Sequence, residues 1–178
     1  MQQLARLCTD RKASAAAEMA LVLPLLLLLL VVPLEAGYYF MSEHIVQKGV
    51  RDAARYASRL PITDYPSCTP TTAAEDDIQQ VARFGEPGGT VARIAGWTSD
   101  DMTTVVVECD TSGTYTGLYT DFPDGVPVVT ARASVPYPTL FGAIGFLGAD
   151  SDDCETGQPA SWTCLRLNAE SQAAVFGE

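Results

Sequence analysis

The sequence predicts an α+β protein in which one long N-terminal helix crosses a membrane and then packs on a small antiparallel sheet. Three observations support this prediction. Residues 19–34 form an unbroken apolar run that includes six consecutive leucines. The rest of the chain is acidic and punctuated by Gly and Pro, and its strand-like segments lack the regular alternation with helices that a parallel sheet needs. A length of 178 residues suits one compact domain with an appendage.

The charge and hydropathy patterns exclude two broad classes of protein. The chain carries 11 Lys and Arg against 22 Asp and Glu, a formal net charge of −11. Nucleic-acid binding is therefore disfavoured, because phosphate attraction needs a basic surface. A polytopic membrane protein is excluded, since no second run approaches the roughly 20 apolar residues that a span requires.

The apolar run is expected to be a retained anchor rather than a cleaved secretory signal. Three basic residues against one acid precede it, so the positive-inside rule leaves the N-terminus in the cytoplasm and exports the rest. Residues 14–36 are long enough to span a hydrocarbon core of roughly 30 Å. A cleavable secretory signal needs small residues at positions −3 and −1 relative to its cleavage site. The candidate pairs for these positions, Leu34/Ala36 and Glu35/Gly37, fit poorly.

Glu18 is a charged residue inside the expected span. A carboxylate there costs a few kcal/mol and usually has a partner or a purpose. Two interpretations stay open from the residues alone. The side chain lies at the cytoplasmic interface near Lys12 and reaches the lipid headgroups, or it serves a function in the membrane.

The residues around Glu18 carry a resemblance to a known family. Residues 11–24 (RKASAAAEMALVLP) resemble the leader and mature N-terminus of TadE-like minor pilins, which belong to the tight-adherence (Tad/Flp) branch of the type IV pilin-like superfamily. The resemblance continues through residues 35–38 and 50–57 and covers about the first third of the chain. Two positions depart from the family pattern, which usually has Gly at Ala13 and often an aromatic residue at Met19.

The resemblance implies processing and a set of partners. A prepilin peptidase would cut between Ala13 and Ser14, which makes Glu18 the fifth residue of the mature chain. The new α-amino group of Ser14 and the Glu18 carboxylate of a neighbouring subunit can then neutralise each other in a low-dielectric environment. The implied partners are this peptidase, other minor pilins, the small major pilin and the pilus platform in the inner membrane.

Beyond the span, the helix is predicted to continue as a handle over residues 37–60. An apolar stripe at helical spacing supports this, and it is expected to pack mostly on the sheet of the head. Its members are Tyr38, Met41, Ile45, Gly49, Ala53, Tyr56 and Leu60. Pro24 and Pro33 predict kinks, and Pro61 predicts the end of the helix. Arg51, Arg55 and Arg59 form a row beside the stripe, which is either a solvated face or a contact for a partner.

The head, residues 61–178, is predicted to contain one helix and several strands. A capping box formed by Thr72 and Glu75 starts the helix, and Gly85 ends it. Alternating or β-branched patterns predict strands at residues 103–109, 129–135 and 165–175, with a weaker one at 89–97. Residues 138–148 are either a short helix or a loop.

The cysteine pattern fits an exported head. Cys8 lies in the leader and leaves four head cysteines, which allow three connectivities. The favoured pairs are Cys68 with Cys109 and Cys154 with Cys164. Four unpaired thiols would be unusual in an oxidising compartment.

The residues offer little for catalysis or metal binding. The only histidine, His44, lies on the handle, so the head cannot build a Ser-His-Asp or Cys-His arrangement. No CxxC motif suggests zinc, and the acidic residues 150–155 lack EF-hand spacing, which favours a solvated loop over a Ca²⁺ site. Carboxylate pairs occur, but sequence cannot place them across a cleft. We therefore expect no catalytic residues, no metal and no cofactor.

These observations combine into one expectation for organisation and function. Residues 1–13 form a cytoplasmic leader, 14–36 the span, 37–60 the handle and 61–178 a periplasmic head. The chain would be a non-enzymatic minor pilin of the bacterial inner membrane that acts in assembly or initiation of an adhesive Tad pilus. Two alternatives stay open: a pseudopilin of a related secretion machine, and a membrane-anchored periplasmic binding or enzymatic domain.

Overall fold

The computed structural model describes residues 11–111, 125–140 and 165–177 and confirms the predicted α+β fold. Over these ranges the backbone forms two helices and a three-stranded antiparallel sheet, joined in part by short 3₁₀ turns at Ile62–Asp64, Pro66–Cys68 and Asp100–Met102. In chain order the elements are α1 (Arg11–Ala57), α2 (Thr72–Phe84), β1 (Thr103–Asp110), β2 (Val126–Pro136) and β3 (Arg166–Ala174).

Helix α1 changes its environment halfway along its length. It has 47 residues, which corresponds to roughly 70 Å. The stretch over residues 15–34 is exposed almost throughout, whereas one face of the helix is buried from Glu35 onward. Among the described residues, this is the one helix whose length and composition allow it to cross a membrane. The N-terminal half is therefore compatible with a single-pass membrane anchor.

The helix ends three residues earlier than predicted. It continues through Pro24 and Pro33 and stops at Ala57 rather than Leu60. After Ala57 the turn tightens, because the N–H groups of Arg59 and Leu60 bond to carbonyls only three residues back, at 3.0 and 3.3 Å. This 3₁₀-type ending satisfies the last donors before Pro61.

The buried face of α1 is rotated slightly from the predicted stripe. Met41 is 60% exposed, and the residues in the core are Ser42, Val46, Val50, Ala53 and Ala57. The stripe prediction is wrong at Met41, because the packing of the head on α1 buries the small side chain of Ser42 instead. The prediction that this face packs on the head is confirmed, since its residues join the core cluster with α2 and the sheet.

Helix α2 packs beside α1 through small residues. Its buried side carries Ala74, Ile78, Val81 and Ala82. Gly49 of α1 allows the close approach, because a Cβ atom there would lie 2.5 Å from the Ala82 carbonyl oxygen.

The caps of α2 agree only in part with the prediction. Thr71, and not Thr72, is the N-cap, with its hydroxyl accepting a 3.3 Å hydrogen bond from the Ala74 N–H. Two adjacent threonines look alike in sequence, which is why the position was predicted one residue late. Gly85 ends the helix as expected, in a left-handed conformation with φ of 101°.

The three predicted strong strands form the sheet in the order β1-β2-β3. Strand β2 pairs antiparallel with both neighbours, for example Val105 with Ala131 and Ala133 with Ala169. The predicted alternation holds on β2 where Val129 and Val135 are buried and Arg132 is exposed, but Thr130, predicted on the polar side, is buried as well. One sheet face thus covers α1 and α2, and the other carries polar side chains.

The prediction of a weaker strand over residues 89–97 is wrong. This segment forms turns, with Ile94 and Trp97 inserted into the core three residues apart rather than alternating. The side chain of Arg83 on α2 replaces a strand partner, since its Nε donates to the Trp97 carbonyl at 2.9 Å. The remaining prediction, for residues 138–148, lies outside the described residues after Leu140.

Candidate functional site at the junction of anchor and head

The predicted processing site lies at the beginning of α1. Ala13 and Ser14 belong to its first turn, and Glu18 follows one turn later with an exposed side chain. The three residues therefore share the first two turns of α1, and the Glu18 side chain is exposed there.

Glu35 forms a buried polar junction between the anchor and the head. It lies 17 residues after Glu18, roughly 25 Å further along the helix, which is close to the thickness of a hydrocarbon core. Its side chain is only 7% exposed. Its Oε1 accepts a hydrogen bond from the Tyr137 hydroxyl at 3.0 Å and another from the Leu140 N–H at 3.1 Å. The carboxylate thus ties the end of the expected span to the segment that follows β2.

An aromatic cluster surrounds this junction. Tyr137 packs against Tyr38 and Tyr39 with ring centroids 6.0 and 5.2 Å apart, and Tyr39 meets Phe40 at 5.7 Å. Burial, followed by the hydrogen bond to Glu35, raises the pKa of the Tyr137 hydroxyl above its ordinary value. The hydroxyl therefore stays protonated and able to donate throughout the physiological pH range. Tyrosines at the end of an apolar helix are typical of the membrane interface.

The three arginines of the predicted partner contact are exposed on α1. Arg51, Arg55 and Arg59 follow one another at intervals of four residues along one side of the helix. Arg51 donates a long 3.4 Å hydrogen bond to Gln47. Asp52, the acid next to this row, forms an ion pair of 2.8 Å with Arg93 of the head. Asp52 therefore neutralises Arg93 rather than the exposed row.

A shallow groove of about 300 Å³ begins at two of these arginines. Arg55 and Arg59 line it together with Tyr56, and the C-terminal end of α2 contributes Glu86 and Pro87. Tyr56 is fixed there by a 3.2 Å hydrogen bond from its hydroxyl to Asp77. The row therefore borders a concave surface and does not stand on an isolated helix.

The predicted Cys68–Cys109 disulfide is present in the structure. It joins the 3₁₀ turn after α1 to the end of β1, with the two Cα atoms 5.7 Å apart. Ser67 and Cys68 both adopt positive φ angles, 51° and 61°, which is uncommon for residues other than Gly. The other predicted pair, Cys154 with Cys164, and the leader residue Cys8 lie outside the described residues.

A polar groove of about 510 Å³ lies on the outer face of the sheet. In its lining, Arg132 pairs with Glu170 at 3.1 Å, and Arg166 donates to the Ser134 hydroxyl at 2.8 Å. Ser134 in turn bonds to Asn168 at 2.7 Å, so its hydroxyl belongs to a structural network. Within the described ranges, no cluster of His, Cys, Asp and Glu is placed to hold a metal.

A long apolar helix that runs into a small α+β head is compatible with a single-pass membrane protein. Comparison with protein families makes the class more specific, because the family described as TadE-like protein matches residues 13–55. This match confirms the resemblance predicted from the N-terminal motif over this part of the chain. It covers most of α1 and ends before the head begins. No curated protein and no solved structure matches the chain.

Sequence reasoning missed the Glu35–Tyr137 junction. Glu35 was noted within the family pattern, but its partner is 102 residues away in the chain. One signal was available, since Glu35 is an acid inside the last turn of an expected span, and such residues usually have partners. The identity of that partner depended on the tertiary fold.

Proposed function

We propose that this chain is a structural minor pilin, or a pilin-like subunit, that acts in assembly or initiation of a Tad-type pilus for adhesion. The observation that carries the proposal is the TadE-like match over residues 13–55, which starts at the expected cleavage site and follows α1 almost to its end. TadE-like pilus proteins are structural components, so a structural role agrees with the family.

The anchor half of α1 supports a role in assembly. Its leucines are exposed, as Leu21 and Leu30 illustrate with 76% and 61%. An apolar helix that the head does not cover has two environments open to it, the bilayer and the apolar helices of other subunits. Incorporation of a subunit into a filament requires this helix to move from the bilayer to the apolar helices of other subunits.

Glu18 supplies the charge that would order such a bundle. Its side chain is exposed near the start of α1, where the positive end of the helix dipole favours an acid. After cleavage before Ser14, the α-amino group of one subunit can pair with the Glu18 carboxylate of the next. In a low-dielectric environment this pairing favours one stagger of neighbouring helices over others.

The exposed row of Arg51, Arg55 and Arg59 is the proposed contact for another pilus component. The protein is strongly acidic, with a net charge of −11, so identical heads repel one another and this row favours a partner that presents acidic groups. Because the arginines are exposed, each contact contributes modestly and weakens with salt.

Processing gives the first test of the proposal. In a host with the cognate prepilin peptidase, N-terminal sequencing of the membrane-extracted protein should begin at Ser14, and in a peptidase-deficient host it should begin upstream. An Ala13→Gly variant, which restores the usual family residue, should be cut at least as completely. A mature start near Gly37 in both hosts would identify a secretory signal and refute the pilin assignment.

Assembly tests the role of Glu18. The Glu18→Gln variant should insert into the membrane normally but fail to support piliation, because the α-amino group of the neighbour loses its partner. Glu43→Gln makes the same chemical change on α1 beyond the expected span and should leave piliation intact. Normal piliation with Glu18→Gln would refute the charge-pairing mechanism.

Partner recovery tests the arginine row. Detergent-solubilised protein should retain neighbouring pilus components at low salt, and a variant with Arg51, Arg55 and Arg59 all replaced by Ala should retain fewer. Arg132→Ala removes an exposed charge from the sheet and serves as the control. Equal recovery by the wild type and the triple variant would assign the row to a solvated helix face.

A further inference from the structure

The outward face of α1 shows where an apolar environment ends. On the side that points away from the head, Phe40 and Met41 are each 60% exposed. They lie five and six residues beyond Glu35, roughly 8–9 Å further along the axis. The next exposed residues on that side are His44 and Lys48. The helix surface thus changes from apolar to basic just after Met41, as expected at a membrane interface.

The part of the head that contacts Glu35 lies nearer to the N-terminal end of α1 than Met41 does. The Leu140 N–H is 3.1 Å from Glu35 Oε1, so Leu140 sits at the height of Glu35 and not of Met41. Leu165 is held nearby, because its carbonyl oxygen accepts a 2.9 Å hydrogen bond from the Tyr137 N–H. Leu140 is 51% exposed and Leu165 is 37% exposed. Two large apolar side chains therefore reach the surface where the head meets the anchor.

The described segment at this surface carries no acidic residue. Residues 136–140 (PYPTL) are uncharged, and the sequence stays uncharged until Asp150, although the chain holds 22 acidic residues. Glu35, the acid that contacts this segment, is buried against Tyr137. An uncharged apolar patch next to tyrosines is compatible with the boundary between lipid headgroups and acyl chains, and an acidic surface would not be.

We propose that the head rests on the bilayer through a lipid-contacting surface formed by Leu140 and Leu165, instead of standing clear of the membrane on its helix. The occupant of this surface is phospholipid of the leaflet on the side of the head. This proposal depends on the anchor role of α1 given above. It adds that the Glu35–Tyr137 junction sets the height of the head relative to the bilayer.

The test measures lipid contact at single positions of the full-length protein. Cys8, Cys154 and Cys164 are replaced by Ser, the Cys68–Cys109 disulfide is kept, and one new cysteine carries an environment-sensitive NBD fluorophore. The protein is reconstituted in vesicles of phosphatidylethanolamine and phosphatidylglycerol that contain lipids with a doxyl quencher near the headgroup end of the acyl chain.

Three positions separate the possible outcomes. Leu140→Cys reports on the proposed surface, and Leu27→Cys reports on the anchor. Val91→Cys is the matched control, because Val91 is an exposed apolar head residue near Arg93, whose partner Asp52 is roughly 25 Å above Glu35 along α1. We expect several-fold stronger quenching and a blue-shifted emission at position 140 compared with position 91.

The result that overturns the proposal is equal, weak quenching at positions 140 and 91 while position 27 is quenched. Weak quenching at position 27 as well would refute the anchor itself. A second measurement avoids any effect of the label on folding. Wild-type protein in vesicles with a photoactivatable phospholipid should yield lipid adducts on the peptide that contains Leu140 and not on the peptide that contains Val91, and the reverse pattern would refute the proposal.

Discussion

Removal of the Tyr137 hydroxyl should uncouple the head from the anchor at a cost that follows from the contacts of Glu35. In the Tyr137→Phe variant the ring keeps its packing against Tyr38 and Tyr39, whereas the 3.0 Å hydrogen bond to Glu35 Oε1 is lost. A hydrogen bond to a charged acceptor contributes about 1.5–3 kcal/mol, and Glu35 retains the Leu140 N–H. We therefore expect the free energy of unfolding to fall by about 2 kcal/mol.

The assay is denaturant unfolding of the full-length protein in detergent micelles, followed by the fluorescence of Trp97. Trp97 is fully buried in the head core, and a Trp162→Phe background makes it the sole reporter. Tyr39→Phe is the matched control, since it removes a hydroxyl from the same cluster and no hydrogen bond from that hydroxyl occurs among the described residues. A loss below about 0.5 kcal/mol for Tyr137→Phe would show that the junction is not a stabilising contact.

Three other perturbations follow from the same structure. Replacing Cys68 and Cys109 by Ala should lower the free energy of unfolding by about 4 kcal/mol, because the disulfide closes a loop with a sequence separation of 41. A loss of less than about 1 kcal/mol in chemical denaturation would contradict this. Gly49→Ala should lower the free energy of unfolding by about 1–3 kcal/mol, despite the better helix propensity of Ala, because the new Cβ atom meets α2. Gly37→Ala is the control: its Cβ atom enters open space, so it should be neutral or stabilising in the same assay. Folding raises the pKa of the Tyr137 hydroxyl, so its contribution to stability is complete below the unfolded-state value of 10.0 and is lost as the pH rises above that value. The free energy of unfolding, measured from neutral to alkaline pH, should therefore fall less steeply for Tyr137→Phe than for the wild type.

The long helix and the three main strands could be predicted because their sequence periodicity is local. An apolar run with a basic flank defines a span by composition alone, and the alternation of small apolar and polar residues in β2 defines its two faces. Gly85 could be placed as a C-cap for the same reason, since its role depends on its own backbone conformation. These features require no knowledge of what lies across the molecule.

The features that were missed depend on contacts between distant segments. Residues 89–97 resemble a weak strand in sequence, but Arg83 of α2 binds the Trp97 carbonyl and the Trp97 side chain fills the core beside Gly49. Likewise, nothing in the sequence near Glu35 identifies Tyr137 as its donor. In both cases one polar side chain satisfies groups from another part of the chain, and tertiary structure overrides the local pattern.

Glu18 and Glu35, the two acids within the expected span, differ in burial. Glu35 is buried and accepts hydrogen bonds from Tyr137 and Leu140 of its own chain, so its carboxylate is already committed to holding the head at the end of the anchor. Glu18 lies roughly 25 Å away on a helix surface that the head does not cover. The Glu18 side chain is exposed, whereas a partner could reach the Glu35 carboxylate only by displacing Tyr137. Substitution of Glu35 should therefore reduce the stability of the head first and assembly only as a consequence, while substitution of Glu18 should impair assembly in a protein whose head is unchanged.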